Sequence, residues 1–255
     1  FLLADAEVVP HPVDEEGIVL NERPCDYYYV TPGHQVPTGV AMSSARRRQL
    51  LDHAARHDAV IIEDDYDSES NFTLNPLPAL KASDRSGRVV YVSSLSKALS
   101  PGLRLGFMVA DPDLIDEARA LRRLVYRHPP TNIQYQMAHF LAQGHYETHL
   151  RRYHYDSAQR WERLHAALQR YLPSCRALAG SEHANAFWLQ TPAQINTQQL
   201  TWRAAHAGVL IEPGARHFLS AAPPDNYFRM GFHAINPDAI AQGVEVLRGQ
   251  LEQMG

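Results

Sequence analysis

Two short apolar runs, at residues 59–62 and 88–92, constrain the fold of this chain more than any other feature. Both runs are rich in valine and isoleucine, and they lead directly into polar residues at 63–65 and 93–94. Because apolar and polar side chains do not alternate within them, each run predicts a strand that is buried on both faces. Helical segments separate the runs. This order is typical of an α/β fold with a mostly parallel central sheet covered by helices.

The second half of the chain has a different pattern. Residues 113–172 are strongly helical apart from a break at 128–130, and residues 144–172 are expected to form one long helix. We therefore expect a large domain over residues 1–150 and a small α+β domain over residues 151–255. A helix end is predicted to run into a strand at 6–9. Further strands are predicted at 27–30, where the tyrosines are expected to pack in the sheet, and at 103–109, 187–189, 209–211 and 227–232. Further helices are predicted to start near Ser43, to span 197–207 and to follow Pro237.

Charge and composition exclude several classes of function. The formal net charge is −4, which argues against a basic nucleic-acid-binding surface within these residues. No apolar run approaches the length of a membrane span, and two cysteines are too few for a disulfide framework, so we expect a cytoplasmic protein. The pairs His53/His57 and His145/His149 have metal-ligand spacing but lack the accompanying glutamate, so no metal site is expected.

Lysine is scarce in this chain, which draws attention to Lys97. Of the 24 lysines and arginines, only Lys81 and Lys97 are lysines. A lysine that remains where arginine otherwise supplies the positive charge indicates chemistry that needs a primary amine, such as Schiff-base formation. Lys81 lies in a polar stretch that predicts a solvated loop. Lys97 instead follows a predicted strand, with Ser94 and Ser96 before it and Arg104 after it, and these groups suit an anionic phosphate.

The acidic segment at 63–69 is the second candidate site. It places Asp64 at the carboxyl end of a predicted strand, where ligands bind in α/β sheets. A nucleotide-hydrolase magnesium site would need a glycine-rich phosphate loop, and a calcium loop would need a glycine near position 70; the sequence has neither. Two interpretations remain: a solvated acidic loop, or a carboxylate that keeps a pyridinium nitrogen protonated.

Taken together and in order, the segments 34–39, 63–69 and 96–104 resemble the motifs of pyridoxal-phosphate enzymes with the aspartate aminotransferase fold (PLP fold type I). They resemble in particular the aminotransferase-like domain of MocR-type transcriptional regulators, a subgroup of the GntR family. The resemblance covers essentially the whole chain. It implies that residues 1–150 are a partial PLP-binding large domain and that the chain is a fragment lacking its N-terminal part.

The resemblance also implies a role for individual residues. Lys97 would form the internal aldimine with pyridoxal 5'-phosphate, and an amino-compound effector would displace it to form an external aldimine. Aminotransferases usually have an asparagine that contacts the ring oxygen at the position of Val36. Since valine cannot make that contact, His34 is included among the residues implied to bind the cofactor. The other implied cofactor contacts are Asp64 to the ring nitrogen, Tyr66 to the ring hydroxyl, and Ser94, Ser96 and Arg104 to the phosphate.

Two arginines are candidates for binding the acid group of an effector or substrate. Arg229 resembles the carboxylate-binding arginine of class I aminotransferases, and Arg216 resembles the effector-binding arginine of the GABA-responsive regulator. Guanidinium groups suit carboxylates because they can donate two parallel hydrogen bonds.

The family resemblance leaves three functions open. The first is the effector-sensing domain of a MocR-type regulator, working as a homodimer and contacting DNA only through an N-terminal winged helix-turn-helix domain absent from this chain. The second is a catalytic class I aminotransferase, in which Lys97 would move a proton as general base and acid. The third is a degenerate fold without cofactor that serves as a dimerisation module. Val36 favours the regulator over the aminotransferase.

Overall fold

The computed structural model describes most of the chain, namely residues 5–21, 23–67, 69, 77–178 and 185–255. These residues fall into two compact units. The first comprises Phe1–Gln35 and Ala41–Tyr153, and the second comprises Val36–Val40 and His154–Gly255. No helix in these described ranges is both long enough and apolar enough to cross a membrane.

The first unit is an α/β unit. Its elements, in chain order, are β1 (Val13–Asp14), β2 (Gly17–Ile18), β3 (Tyr27–Val30), α1 (Ser44–Arg56), β4 (Val60–Asp65), β5 (Val89–Ser94), β6 (Gly106–Val109), α2 (Pro112–Tyr126), α3 (Thr131–Ala142) and the start of α4 (His145–Tyr171). Strands β1 and β2 form a small antiparallel pair. The helix break expected at 128–130 is confirmed, and a second break follows at Gly144, whose φ is +71°.

The main sheet of this unit has the strand order β3-β4-β5-β6. The pairs β3–β4 and β4–β5 are parallel, whereas β6 runs antiparallel to β5. The mostly parallel sheet is therefore confirmed, with an antiparallel strand at one edge. Because β3, β4 and β5 run the same way, their carboxyl ends lie at one edge of the sheet and carry Val30, Asp65 and Ser94 to it.

The core of the first unit lies between this sheet and α1. Strand residues Ile61 and Val89 and helix residues Leu50 and Ala54 are completely buried. Helix α1 begins where the hydroxyl of Ser43 accepts a hydrogen bond from the backbone N–H of Arg46, which satisfies one of the free donors of the first turn.

The three tyrosines of β3 do not all pack in the sheet, and that prediction is wrong for two of them. Side chains alternate between the two faces of a strand, so Tyr28 is buried while Tyr27 and Tyr29 are exposed. The hydroxyl of Tyr28 lies 2.7 Å from Nε2 of His53 inside the core.

The second unit is a small α+β unit, as expected. Its four-stranded sheet has the order β7-β8-β10-β9, and every pair is antiparallel. The centre of its core is formed by four fully buried side chains, Phe187 and Phe228 from the sheet and Leu200 and Leu247 from the helices. The elements after α4 are β7 (Arg176–Ala177), β8 (Ala186–Gln190), α5 (Thr197–His206), β9 (Glu212–Pro213), β10 (Tyr227–Gly231) and α6 (Ile240–Glu252).

Three predicted strands differ from the structure. Residues 6–9 form no strand. Residues 209–211 also form none; Leu210 is exposed, and the strand lies at Glu212–Pro213 instead. The strand expected over 103–109 is confined to Gly106–Val109, because residues 101–103 form a 3-10 turn that begins with a proline.

Candidate functional site

Lys97 lies in the loop that follows β5, within a cluster of polar side chains. Its Nζ is 4.0 Å from the centre of the Tyr66 ring and 3.6 Å from Oδ2 of Asp67. About half of the lysine side chain is exposed, whereas Asp67 is almost completely buried. The amine is therefore oriented by a ring and a carboxylate, and it stays accessible to a ligand.

His34 lies on the other side of Asp67 and completes this cluster. Its Nδ1 is 4.0 Å from Oδ2 of Asp67, and its backbone carbonyl accepts a hydrogen bond from the hydroxyl of Tyr66 at 3.2 Å. Burial lowers the pKa of His34, and the charge of Lys97 lowers it further, although Asp67 acts in the opposite direction. The imidazole is therefore neutral at pH 7, and Lys97 is the cation that faces Asp67.

Asp64, at the end of β4, is held by a residue from the neighbouring strand. The hydroxyl of Tyr29 donates a hydrogen bond to Oδ2 of Asp64. Although about half of Tyr29 is exposed, partial desolvation of its side chain raises its pKa, and this carboxylate raises it further, so the hydroxyl stays protonated and remains a donor. Tyr29 thus positions Asp64, a role that differs from the sheet packing predicted for it.

The acidic neighbours of Asp64 have structural roles, so the solvated-loop interpretation is wrong for them. Glu63 is buried and accepts hydrogen bonds from the backbone N–H groups of Leu80 and Lys81 at 2.6 and 2.8 Å. Asp65 accepts a hydrogen bond from the hydroxyl of Tyr91 at 2.9 Å. Burial raises the pKa of both carboxyl groups.

Lys81, the other lysine, is also structural. Its Nζ donates to Oδ2 of Asp84 at 3.1 Å and to the carbonyl of Val89 at 2.7 Å, although most residues of the stretch 81–85 are exposed, as a solvated loop requires. Both side-chain contacts of this amine are made inside the protein, in contrast to the accessible amine of Lys97.

The serines before Lys97 include a hydroxyl that has no hydrogen-bond partner within the described part of the chain. The hydroxyl of Ser94 accepts a hydrogen bond from the backbone N–H of Ser96 at 3.2 Å. The hydroxyl of Ser96 is buried and makes no hydrogen bond to any described residue. A buried hydroxyl without a partner is costly unless a ligand satisfies it, so Ser96 is a candidate donor to a ligand oxygen.

Arg104 lies at the far end of the same loop. A hydrogen bond of 3.0 Å from the N–H of Leu95 to the carbonyl of Leu105 closes the loop and brings the chain around Arg104 back beside the serines. Arg104 is exposed and has a φ of +49°, an uncommon conformation for a residue with a side chain. A Cβ at Gly106 would lie 2.6 Å from the carbonyl oxygen of Ser93, so the close approach of these strands requires glycine there.

In the second unit, the two candidate arginines converge on one carboxylate. Nη1 of Arg216 is 3.4 Å from Oε1 of Glu212, and Nη1 of Arg229 is 3.4 Å from Oε2 of the same residue. The ring of His217 is also close, with Nε2 at 3.5 Å from Oε1. The structure therefore brings Arg216 and Arg229 together, and it adds Glu212, which no motif in the sequence indicates.

The histidine pairs considered as metal ligands make other contacts. His53 binds the Tyr28 hydroxyl, and Nε2 of His149 lies 2.6 Å from the carbonyl oxygen of Ala98, next to Lys97. Among the described residues, no three histidine, cysteine, aspartate or glutamate side chains form a group that could hold a metal ion.

The comparison with protein families identifies the chain. The sequence profile described as aminotransferase class I and II matches residues 30–247. This chain belongs to the aminotransferase class I and II family. The matched region includes Lys97, both arginines and every other site residue discussed above, apart from Tyr29 directly before it.

Two relatives of this class I and II family member are transcriptional regulators. The HTH-type transcriptional regulator TauR of Rhodobacter capsulatus is 38% identical over 243 residues, which cover 94% of this chain and 50% of TauR. The probable rhizopine catabolism regulatory protein MocR of Rhizobium meliloti is 35% identical over 252 residues, which cover 97% of this chain and 51% of MocR. The resemblance to MocR-type regulators is confirmed, and the chain spans about half the length of these relatives.

A solved aminotransferase confirms the predicted aspartate aminotransferase fold. LysN, the α-aminoadipate aminotransferase of Thermus thermophilus, matches this family member with a TM-score of 0.85 and 27% identity. The match covers 96% of this chain and 65% of LysN, which was crystallised with N-(5'-phosphopyridoxyl)-L-leucine.

Proposed function

We propose that this chain is the pyridoxal 5'-phosphate-binding, effector-sensing part of a MocR-type transcriptional regulator of the GntR family. The observation that carries the proposal is the accessible amine of Lys97, held over Tyr66 and followed along the chain by the loop that returns at Arg104. The similarity to two transcriptional regulators over nearly the whole chain supports the regulatory role.

The residues present fit this cofactor. The unpartnered hydroxyl of Ser96, with Ser94 and Arg104, would hold the phosphate by charge-assisted hydrogen bonds. Asp64, fixed by Tyr29, would face the ring nitrogen as a carboxylate and keep it protonated. Tyr66 and His34 would contact the ring hydroxyl side, the position for which the family usually uses an asparagine.

Lys97 would supply the amine to which the cofactor is attached. When bound, the cofactor supplies an aldehyde that reacts with amines and a ring that withdraws electrons from the attached group. A lysine must lose its proton to react, and Asp67 is the buried carboxylate near enough to orient the ammonium form. Lys97 therefore has a defined resting position from which an effector's amino group would displace it.

The regulatory output requires a difference in contacts between the two states. Release of Lys97 changes what faces Asp67 and Tyr66, and binding of the effector's acid group engages Arg216 and Arg229. Only such differential contacts can shift a conformational equilibrium and hence DNA binding. The effector would be an amino compound with an acid group, the assembly a homodimer, and the DNA contact would be made by a winged helix-turn-helix domain outside this chain.

Reductive trapping tests the cofactor site directly. The full-length protein is incubated with pyridoxal 5'-phosphate, reduced with borohydride, digested and analysed by mass spectrometry. We expect the label on the peptide that contains Lys97. The variant Lys97→Arg should lose it, while Lys81→Arg, at the other lysine of this chain, should retain it. A folded wild-type protein that carries no label, as expected of a cofactor-free dimerisation module, would overturn the proposal.

The second candidate function is a catalytic class I aminotransferase, which the match to LysN favours. In that case Lys97 would carry a proton to and from the substrate's α-carbon. The two functions differ in turnover. A catalyst converts many equivalents of an amino acid with a keto acid, whereas a sensor stops after at most one equivalent per site. A regulator must also bind its own promoter DNA specifically.

A further inference from the structure

Glu212 occupies an unexpected place between the two arginines proposed to bind a ligand's acid group. It lies in β9 directly opposite Arg229 in β10, and it precedes Arg216 by four residues. Each arginine approaches a different oxygen of its carboxylate. A carboxylate of the protein therefore stands where a carboxylate of a ligand is expected to bind.

The position of Glu212 is built into the fold. The turn after β9 begins at Gly214, where an added Cβ would lie 2.6 Å from Trp188, from Cβ of Tyr227 and from the Tyr227 carbonyl oxygen. The ring of Trp188 stacks on that of Tyr227, with ring centres 5.5 Å apart. This packing fixes the backbone on which Glu212 and Arg216 lie.

The contacts of Glu212 with the arginines are loose. Both distances are 3.4 Å, longer than the 2.7–2.9 Å or so that is usual for a guanidinium–carboxylate hydrogen bond, and a third of the Glu212 side chain is exposed. Each guanidinium also has five N–H donors, of which Glu212 takes only one. Both arginines can therefore accept a ligand's acid group while Glu212 stays near them.

We propose that Glu212 determines the charge specificity of this arginine pair, so that the site takes amino compounds with one acid group and rejects those with a second. The proposal rests on the proposed function of Arg216 and Arg229 as the acid-binding residues. Two guanidinium groups and one carboxylate leave a single positive charge, because His217, whose pKa is lowered by burial, adds none at pH 7. One carboxylate neutralises the cluster, and a second one meets the negative charge of Glu212.

The test compares ligands that differ in one charge only. Dissociation constants of L-glutamine and L-glutamate, and of L-asparagine and L-aspartate, are measured by calorimetry on the full-length, cofactor-loaded protein. The variants are Glu212→Gln, which keeps size and removes charge, and Glu245→Gln as a control. Glu245 also pairs with an arginine, Arg248, at 3.6 Å, but on α6.

We expect the wild type and Glu245→Gln to bind the amides more tightly than the acids. In Glu212→Gln the affinity ratio of amide to acid should fall about tenfold, as removal of a charge a few ångströms away predicts. The ratio is taken within one variant, so a general loss of folded protein does not change it.

Two results would overturn this inference. One is a ratio in Glu212→Gln that stays within about twofold of the wild type. The other is that none of the four compounds binds measurably at millimolar concentration. Glutamine and asparagine each have one acid group, so an arginine pair that accepts compounds with one acid group should bind them. Borohydride labelling of Lys97 is independent of both results. If Lys97 is labelled and one of these results is also found, the inference about Glu212 is wrong but the proposed cofactor site is still supported. If Lys97 is not labelled, the proposed function itself is wrong.

Discussion

At the scale of single residues, the side chains of the site are positioned by contacts with neighbouring residues, and Lys97 also stays accessible to a ligand. Lys97 is oriented by Tyr66 and Asp67 yet half exposed, and Asp64 is fixed by Tyr29. Such preorganisation reduces the entropy lost when a ligand binds, since the side chains already have their bound positions.

The hydroxyl of Ser96 leads to a prediction with opposite effects on stability and binding. In Ser96→Ala the affinity for pyridoxal 5'-phosphate should fall about tenfold or more, because hydrogen bonds to charged groups contribute about 1.5–3 kcal/mol. The free energy of unfolding without cofactor should stay equal or rise, since a buried polar atom without a partner is removed. Cofactor titration by absorbance and urea unfolding measure the two quantities.

The matched control for Ser96→Ala is Ser100→Ala, an exposed serine in the same loop. Its substitution should leave the cofactor affinity within about twofold, well below the loss expected from a charge-assisted hydrogen bond. An unchanged cofactor affinity in Ser96→Ala would show that this hydroxyl does not contact the phosphate.

His34 predicts a dependence of stability on pH. Its pKa in the folded protein lies below the 6.5 of an exposed imidazole, mainly because of burial. The unfolded chain therefore binds the proton more readily, and the stability that depends on neutral His34 is complete above about pH 6.5 and is lost as the pH falls below that value.

Urea unfolding at about pH 7.5 and about pH 5.5 tests this dependence. The wild type should be less stable at the lower pH, and His34→Asn should lose less stability than the wild type between the two values. His128→Asn, at an exposed histidine, should follow the wild type. Equal losses in all three proteins would show that His34 is not held neutral by the fold.

At the scale of elements, the long apolar strands and helices could be predicted and the short pairings could not. Strands β4 and β5 and helix α4 carry strong periodic or continuous apolar patterns, and each was found within a few residues of its expected place. Strands β1, β2, β7 and β9 have two residues each, too few for any pattern. Their pairing depends on partners that the pattern of a single short segment does not indicate.

The same limit explains which site residues were missed. The site could be located from the positions of some residues along the chain, because Asp64 lies at the end of a predicted strand and Ser96 and Lys97 follow another. Asp67 and Glu212 matter through ion pairs with residues that lie far away in sequence or across a sheet. Glu212 in particular follows a segment that was expected to be the strand, so its register opposite Arg229 could not be read from the pattern.

The turn at Gly214 gives a prediction at this scale. Gly214→Ala should lower the free energy of unfolding by about 1–3 kcal/mol, because its Cβ would overlap Trp188 and the Tyr227 backbone. Gly249→Ala in α6, where a Cβ meets no atom within 4 Å, should raise it by about 0.5–1 kcal/mol, as alanine favours helix. Thermal unfolding of both variants measures the difference, and equal stabilities would contradict the packing described for the turn.

At the scale of the whole molecule, the chain combines an aminotransferase fold with similarity to transcriptional regulators over about half of their length. Under the proposed function, the effector and the operator DNA bind to different parts of one protein. Their effects on each other are then a single coupling free energy shared by two binding equilibria.

For the full-length protein we predict that this coupling acts equally in both directions. The factor by which a saturating effector changes the affinity for operator DNA should equal the factor by which saturating DNA changes the affinity for the effector. Fluorescence anisotropy measures the first and calorimetry the second. A large factor in one direction with none in the other would show that the two ligands do not act through a common equilibrium.

The position of Glu212 also has an evolutionary consequence. The arginines proposed to bind an acid group and the carboxylate proposed to limit its charge are separate side chains. Glutamate and glutamine codons differ in the first base alone, so under the proposed function one nucleotide change would alter which compounds a descendant of this protein binds. New sensing preferences would then arise without disturbing the residues that hold the cofactor.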